Sequence, residues 1–199
     1  SVIVGHNVRF DLSFLNAAPD ATFTLARQHW QTEQFIRESG VHYVFLRDSF
    51  YTDMLPFFVG EDDVIRAPAG EGRASFVTRD DVAASAAAVL RTHDHDNSVF
   101  DITGPEALTL SEAARRLGEF VGRPIGYEAE TEEEAYASRA RYGAPEWEAQ
   151  GWVTSYQAIA NGEMDTVSDA VETLTGHPPR SIEDFLREHP ESYRRLAGT

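Results

Sequence analysis

TLARQHWQTEQFIRESGVHYVFLR, residues 24–47, changes its period once, and that change decides the fold. In its first part Leu25, His29, Thr32, Phe35 and Ile36 recur at spacings of three and four, one stripe of a helix, and Gly40 supplies the stop. VHYVFLR, residues 41–47, is then mostly apolar and β-branched or aromatic, as expected of a strand covered on both faces. Upstream, Val8, Phe10, Leu12 and Phe14 alternate like a strand with one buried face, and NAAPDA, residues 16–21, breaks it. Strand, helix and strand within about 40 residues predict a parallel βαβ crossover and an α/β fold.

The opening SVIVGHNVRFDLSFLNAA, residues 1–18, permits a second reading. His6, Asn7, Phe10 and Asp11 resemble the second acidic motif of proofreading-type exonucleases, where an Asp helps hold two divalent metals. Such a site needs several convergent carboxylates. No Asp-x-Glu strand precedes Asp11 and no His-x4-Asp spacing follows it, so the strand reading is preferred.

Beyond residue 47 the alternation continues. DSFYTDMLPFFVGED reads as a loop and short helix, and VIRAPAGEGRASFV as two extended pieces around a Gly-containing turn. Thr78-x-x-Asp81 opens a helix with Val82, Ala86, Val89 and Leu90 on one face, and SVFDITG is another strand. After Pro105 helices dominate. Thr109-x-x-Glu112 starts one carrying Leu110, Ala113, Leu117 and Phe120, PIGYEAE offers a strand, and three further helices end at Pro190.

The 199 residues are 42% hydrophobic and 25% charged, a globular composition large enough for one core. Cysteine is absent, which removes disulfides and thiolate chemistry. Lysine is absent too: all 17 basic residues are Arg, so a phosphate-loop Lys, a Schiff-base Lys and the Lys of a Tyr-Lys reductase pair are excluded within the chain. A formal charge of −16 opposes a polyphosphate partner, so no nucleic acid is expected. No apolar run is long enough for a membrane span and no secretory pattern stands at the start, which predicts a cytoplasmic location.

Few side chains have the pattern of a site. HDHD, residues 93–96, offers imidazole and carboxylate but no distant partner motif, and reads as a solvated loop; no metal site is expected. GEGRAS, residues 70–75, lacks the third Gly and following helix of a dinucleotide fingerprint. His29 and Glu33 stand at i, i+4, so the carboxylate can orient the imidazole as a proton donor, or simply satisfy a buried histidine. LRDSFY, residues 46–51, follows a central strand, where open α/β sheets place ligand loops, which selects Asp48, Ser49 and Tyr51.

LSFLNAAPDATFTLARQHWQTEQFIRESGVHYVFLRDSFYTDMLP, with VIRAPAGEGRASFVTRDDVAASAAAVL, FDITGPEALTLSEAA and LTGHPP, resembles the NmrA-like branch of atypical short-chain dehydrogenases/reductases. The resemblance runs from about residue 12 to 188 in unbroken motif order. It implies the C-terminal part of a Rossmann-type parallel sheet, residues 1–105, as a partial NAD(P)-binding domain. Residues 106–199 form a smaller, mainly helical region on the substrate side. The implied activity is NAD(P)H-dependent reduction of quinones or similar electron-poor small molecules; the family also holds nucleotide-sensing regulators without turnover.

Carried over residue by residue, Ser13 stands where typical reductases keep their active-site Ser, and His29 and Glu33 replace the Tyr and Lys of Tyr-x-x-x-Lys. Tyr51 completes the implied reaction site, and Arg47, Asp48, Ser49 and Phe50 the loop that passes the nicotinamide. The implied cofactor is NADP or NAD. The strand, Gly-rich turn and helix that would hold its pyrophosphate have no counterpart before Ser13, roughly a third of the expected domain. A sheet without those strands has an open edge, which predicts pairing as a homodimer.

Overall fold

The computed structural model describes residues 15–92 and 94–197. The strand expected at Val8 to Phe14, together with Asp11 and Ser13, lies outside them.

The helix and strand read from residues 24–47 are present as α1 (Thr24–Glu38) and β1 (Val44–Asp48). Gly40, at φ +74°, takes the left-handed conformation that lets the chain leave α1. A 3-10 turn (Thr52–Met54) and the short α2 (Leu55–Phe58) follow, then β2 (Val64–Ala67), β3 (Arg73–Ala74) and α3 (Arg79–Val89). β4 (Ser98–Ile102), β5 (Leu108–Thr109), α4 (Leu110–Val121) and β6 (Gly126–Ala129) come next. The chain finishes with α5 (Glu132–Arg139), α6 (Glu146–Ala160), α7 (Ala170–Thr175) and α8 (Ile182–Glu188).

β1 and β4 run parallel, in register from Val44 opposite Ser98 to Asp48 opposite Ile102. β2 is parallel to β6, and β3 antiparallel to β5. This is the α/β architecture expected, with parallel pairing and a helix-rich second half. Helix starts follow their capping residues: Thr78 accepts from the Asp81 N–H, and Thr109 and Glu112 form a reciprocal capping box.

One large core gathers Leu15, Phe23, Ile65, Leu117, Ile159 and Phe185, from both halves of the chain. A smaller core of Tyr51, Val77, Ile102, Ala170 and Val171 lies where α3 and α7 cover β1 and β4. Two faces differ from the expected stripes. On α1 the buried residues are Ala26 and Glu33, while Phe35 is 74% exposed. On α3 they are Asp81, Ser85 and Val89, with Leu90 55% exposed. The reason is shared: each helix turns a carboxylate inward because an Arg meets it there, Arg47 at Glu33 and Arg180 at Asp81. α7 was not anticipated, since six residues carry too little periodicity to register.

Candidate active-site cleft

β1 ends in Arg47 and Asp48, whose side chains leave opposite faces of the strand. Arg47 lies on the α1 side. Its Nε donates to Glu33 Oε1 at 2.8 Å and its Nη2 to Oε2 at 2.7 Å, a two-pronged ion pair on a carboxylate that is only 5% exposed. That bond, above all, raises the Arg47 pKa. Glu33 therefore anchors α1 to β1, and both its oxygens are engaged by Arg47. Glu33→Gln is expected to lower stability by about 2–3 kcal/mol in urea denaturation, because it strands a half-buried guanidinium, while the pair Glu33→Leu with Arg47→Met recovers most of the loss.

Arg47 stands opposite Asp101 across the parallel register, and beside them opens a cleft of about 330 Å³. Leu15, Asn16, Arg47, Asp101, Gly162, Glu163 and Thr166 line it. The Asp101 pKa is raised chiefly by burial, and further by Glu33, against the pull of Arg47. Glu163 is held by Thr22, whose backbone N–H donates to both carboxylate oxygens at 3.1 and 3.0 Å and whose hydroxyl donates to Oε1. The segment after α6 is thereby tied to the loop entering α1. The cleft lies outside the carboxyl ends of a parallel strand pair, the place where open α/β sheets bind ligands.

On the other face Asp48 is 7% exposed. Its Oδ2 accepts from the Tyr51 hydroxyl at 3.1 Å, its Oδ1 has no partner, and burial raises its pKa to about 7. Tyr51 is buried in the smaller core with the Arg79 guanidinium 4.9 Å from its ring centre, and burial, then Asp48, pushes its phenol well above the ordinary range. Ser49 receives the Ser75 hydroxyl at 3.1 Å, and Phe50 packs on Tyr156 at 5.4 Å.

The residues selected from sequence thus divide into groups. Arg47 and Glu33 are joined directly, with His29 half-buried one turn earlier on α1. Asp48 and Tyr51 form a second pair, directed into the α3–α7 core; Ser13 lies outside the described residues. Asn16, Asp101, Glu163 and Thr166 escaped sequence reading. Asp101 had a signal, its place near the end of a parallel strand; the others reach the cleft through tertiary folding alone.

The residues weighed as metal ligands make other contacts among the described residues. His93 lies outside the described residues, His42 pairs with Asp96, and the His95 ring packs edge-on against Phe100 at 5.4 Å. Asp80, Glu188 and His189 converge, but His189 Nε2 bonds Asp80 at 2.9 Å and Glu188 takes Arg180 Nε at 2.8 Å.

Comparison with known proteins places this geometry. No family model matches the chain. An NAD(P)H azoreductase of Xenophilus azovorans is 30% identical over 182 residues, 90% of this chain and 64% of that protein. The structure of an NADPH-dependent quinone oxidoreductase from Escherichia coli, complexed with NADPH, superposes with a TM-score of 0.78 at 28% identity, covering 94% of this chain and 64% of that one. An NmrA-like family oxidoreductase of Aspergillus flavus is 23% identical over 183 residues, 89% of this chain and 59% of that protein. The chain is similar to NmrA-like oxidoreductases over nearly its whole length.

It spans less than two thirds of the length of these relatives. The cleft offers the amide of Asn16, the hydroxyl of Thr166 and the carboxylate of Glu163 beside Arg47 and Asp101 near the carboxyl ends of β1 and β4, polar groups of the kind that could hold one end of a nicotinamide cofactor. A Gly-rich strand–turn–helix unit for the pyrophosphate does not occur among the described residues. No helix of the described residues is long and apolar enough to cross a membrane.

Proposed function

We propose that the chain forms the sheet-end and substrate-side part of an NAD(P)H-dependent reductase acting on quinones or similar electron-poor small molecules. The observation that carries this reading is the polar cleft at the ends of β1 and β4, in a fold similar to an NADPH-bound quinone oxidoreductase. When bound, the reduced nicotinamide supplies a hydride. The chain's own groups then position: Arg47, fixed by Glu33, forms one wall with Asp101, and Asn16 and Thr166 offer hydrogen bonds. The loop Arg47 to Phe50 would hold the nicotinamide end, with Asp48 braced by the Tyr51 hydroxyl. His29 and Ser13 serve as the proton-side groups in this reading, and residues 106–199 close the substrate side through Glu163 and Thr166. Pairing of two copies and a cytoplasmic location complete the proposal.

Consumption of NADPH with a quinone, followed by absorbance, tests it. Turnover is expected, and His29→Ala is expected to reduce it by about a hundredfold or more, the usual worth of a positioned proton donor. Tight NADP binding without turnover would replace this reading with a nucleotide sensor.

A further inference from the structure

We infer that Asn16 is a specificity-determining residue, whose side-chain amide donates a hydrogen bond to an uncharged oxygen of the molecule held in the cleft. The inference rests on the reductase reading and names the residue by which its substrate is recognised. Asn16 lines the cleft at φ +60°, in the left-handed region where glycine is the default. Two other residues besides glycine, Asp63 and Asn97, share that conformation, and each belongs to a hydrogen-bonded turn. Asp63 N–H donates to Gly60 O at 3.2 Å, and its carboxylate holds Arg123. Asn97 lies in the turn that Ser98 N–H closes onto His95 O at 3.1 Å. Asn16 belongs to no such turn: neither its backbone nor its amide makes a hydrogen bond among the described residues.

Arg47 and Glu163 have their hydrogen bonds already. Arg47 gives Nε and Nη2 to Glu33, and both oxygens of Glu163 receive the Thr22 N–H. The Asn16 amide, from the segment that enters α1, and the Thr166 hydroxyl, from the segment after α6, have no partner among the described residues. An amide N–H and a hydroxyl are donors without charge, so they match a lone pair on a neutral oxygen, and their pull changes little with salt. Buried Leu15 beside them offers an apolar surface to a ring. A hydrogen bond to an oxygen away from the reacting atoms is made in the bound acceptor and kept in the transition state. It therefore acts on binding and leaves the chemical step alone.

Asn16→Gly is the informative variant, because glycine keeps the left-handed backbone without strain and removes only the amide. Equilibrium dialysis of the full chain, without cofactor, against 1,4-naphthoquinone and against naphthalene, the same rings without oxygen, is the test. Asn16→Gly should weaken quinone binding about threefold to tenfold, the worth of one uncharged hydrogen bond, and leave naphthalene binding within about twofold. Asn97→Gly, the same change at a left-handed residue outside the cleft, should move neither. Unchanged quinone binding in Asn16→Gly, or equal weakening of both ligands, overturns the inference; the second result would make Asn16 a residue that only shapes the cleft. NADPH turnover of the quinone is measured in parallel, and KM should rise by the same factor as the dissociation constant. Selective loss of quinone binding in a chain without turnover sinks the reductase reading and leaves the role of Asn16 standing; turnover with an unchanged KM in Asn16→Gly does the reverse.

Discussion

Asp48→Asn stabilises the fold by roughly 3 kcal/mol at about pH 8 and by almost nothing near pH 4: this is the result expected from urea denaturation at the two pH values. Asp48 is buried, has no cation beside it among the described residues, and keeps Oδ1 unpartnered there. Burial carries its pKa from 3.8 to about 7, against the smaller opposing effect of the Tyr51 hydrogen bond. The folded state therefore holds a proton that the unfolded chain releases. The associated stability is fully present below the ordinary carboxylate range, declines as the pH rises from 3.8, and is lost once the pH passes about 7. The full displacement corresponds to about 4 kcal/mol, of which an unpaired amide hydrogen in the variant takes back about 1 kcal/mol. Asparagine accepts the Tyr51 hydroxyl equally well and has no charge to desolvate. A flat difference between variant and parent across this range would show that Asp48 is solvated. In the proposed reductase the same variant should lower kcat/KM while raising stability.

Much of the fold was legible because its signals are local. Gly40, the Thr78 cap and the Thr109–Glu112 box announce themselves within four residues, and each lies where it was read. The site was legible only in part, because its partnerships are long-range. Reading along one helix joins Glu33 to His29, whereas the folded chain brings Arg47, fourteen residues on, to both oxygens of Glu33. The inward carboxylate also explains the missed face of α1: a hydrophobic stripe cannot reveal a buried ion pair, and it placed Phe35 inside when it is exposed. Asp48 and Tyr51 were found from their place after a strand, but the orphan oxygen follows from packing that no spacing encodes. Glu163 reaches the cleft through a bond to Thr22 across 141 positions. Arg-carboxylate pairs recur at these joints because Arg is the chain's only basic residue besides histidine, and its fork holds geometry where a lysine would not.

Gly104→Ala is expected to unfold the chain or to lower its stability by more than about 4 kcal/mol, with loss of near-ultraviolet circular dichroism. A β-carbon there would stand 1.8 Å from the Phe76 carbonyl oxygen and 2.9 Å from its carbon, both backbone atoms that cannot rotate away. The close approach has a purpose visible in the hydrogen bonds. Gly104 N–H donates to Ser75 O at 3.2 Å, just past the end of β4, while Val77 N–H donates to Phe50 O and Thr52 N–H to Val77 O, each at 2.9 Å. Ser49 N–H closes the circuit onto Ile102 O at 3.0 Å. The segment Ser75–Val77 thus locks the loop after β1 to the end of β4, and only a residue without a side chain lets the strand ends converge. Gly122→Ala supplies the comparison: it has open space around it but φ +79°, so it should cost only about 1 kcal/mol. If Gly104→Ala behaves like that surface variant, the loop carrying Asp48 and Tyr51 is not held by this contact, and the cleft's rigid frame must be sought elsewhere.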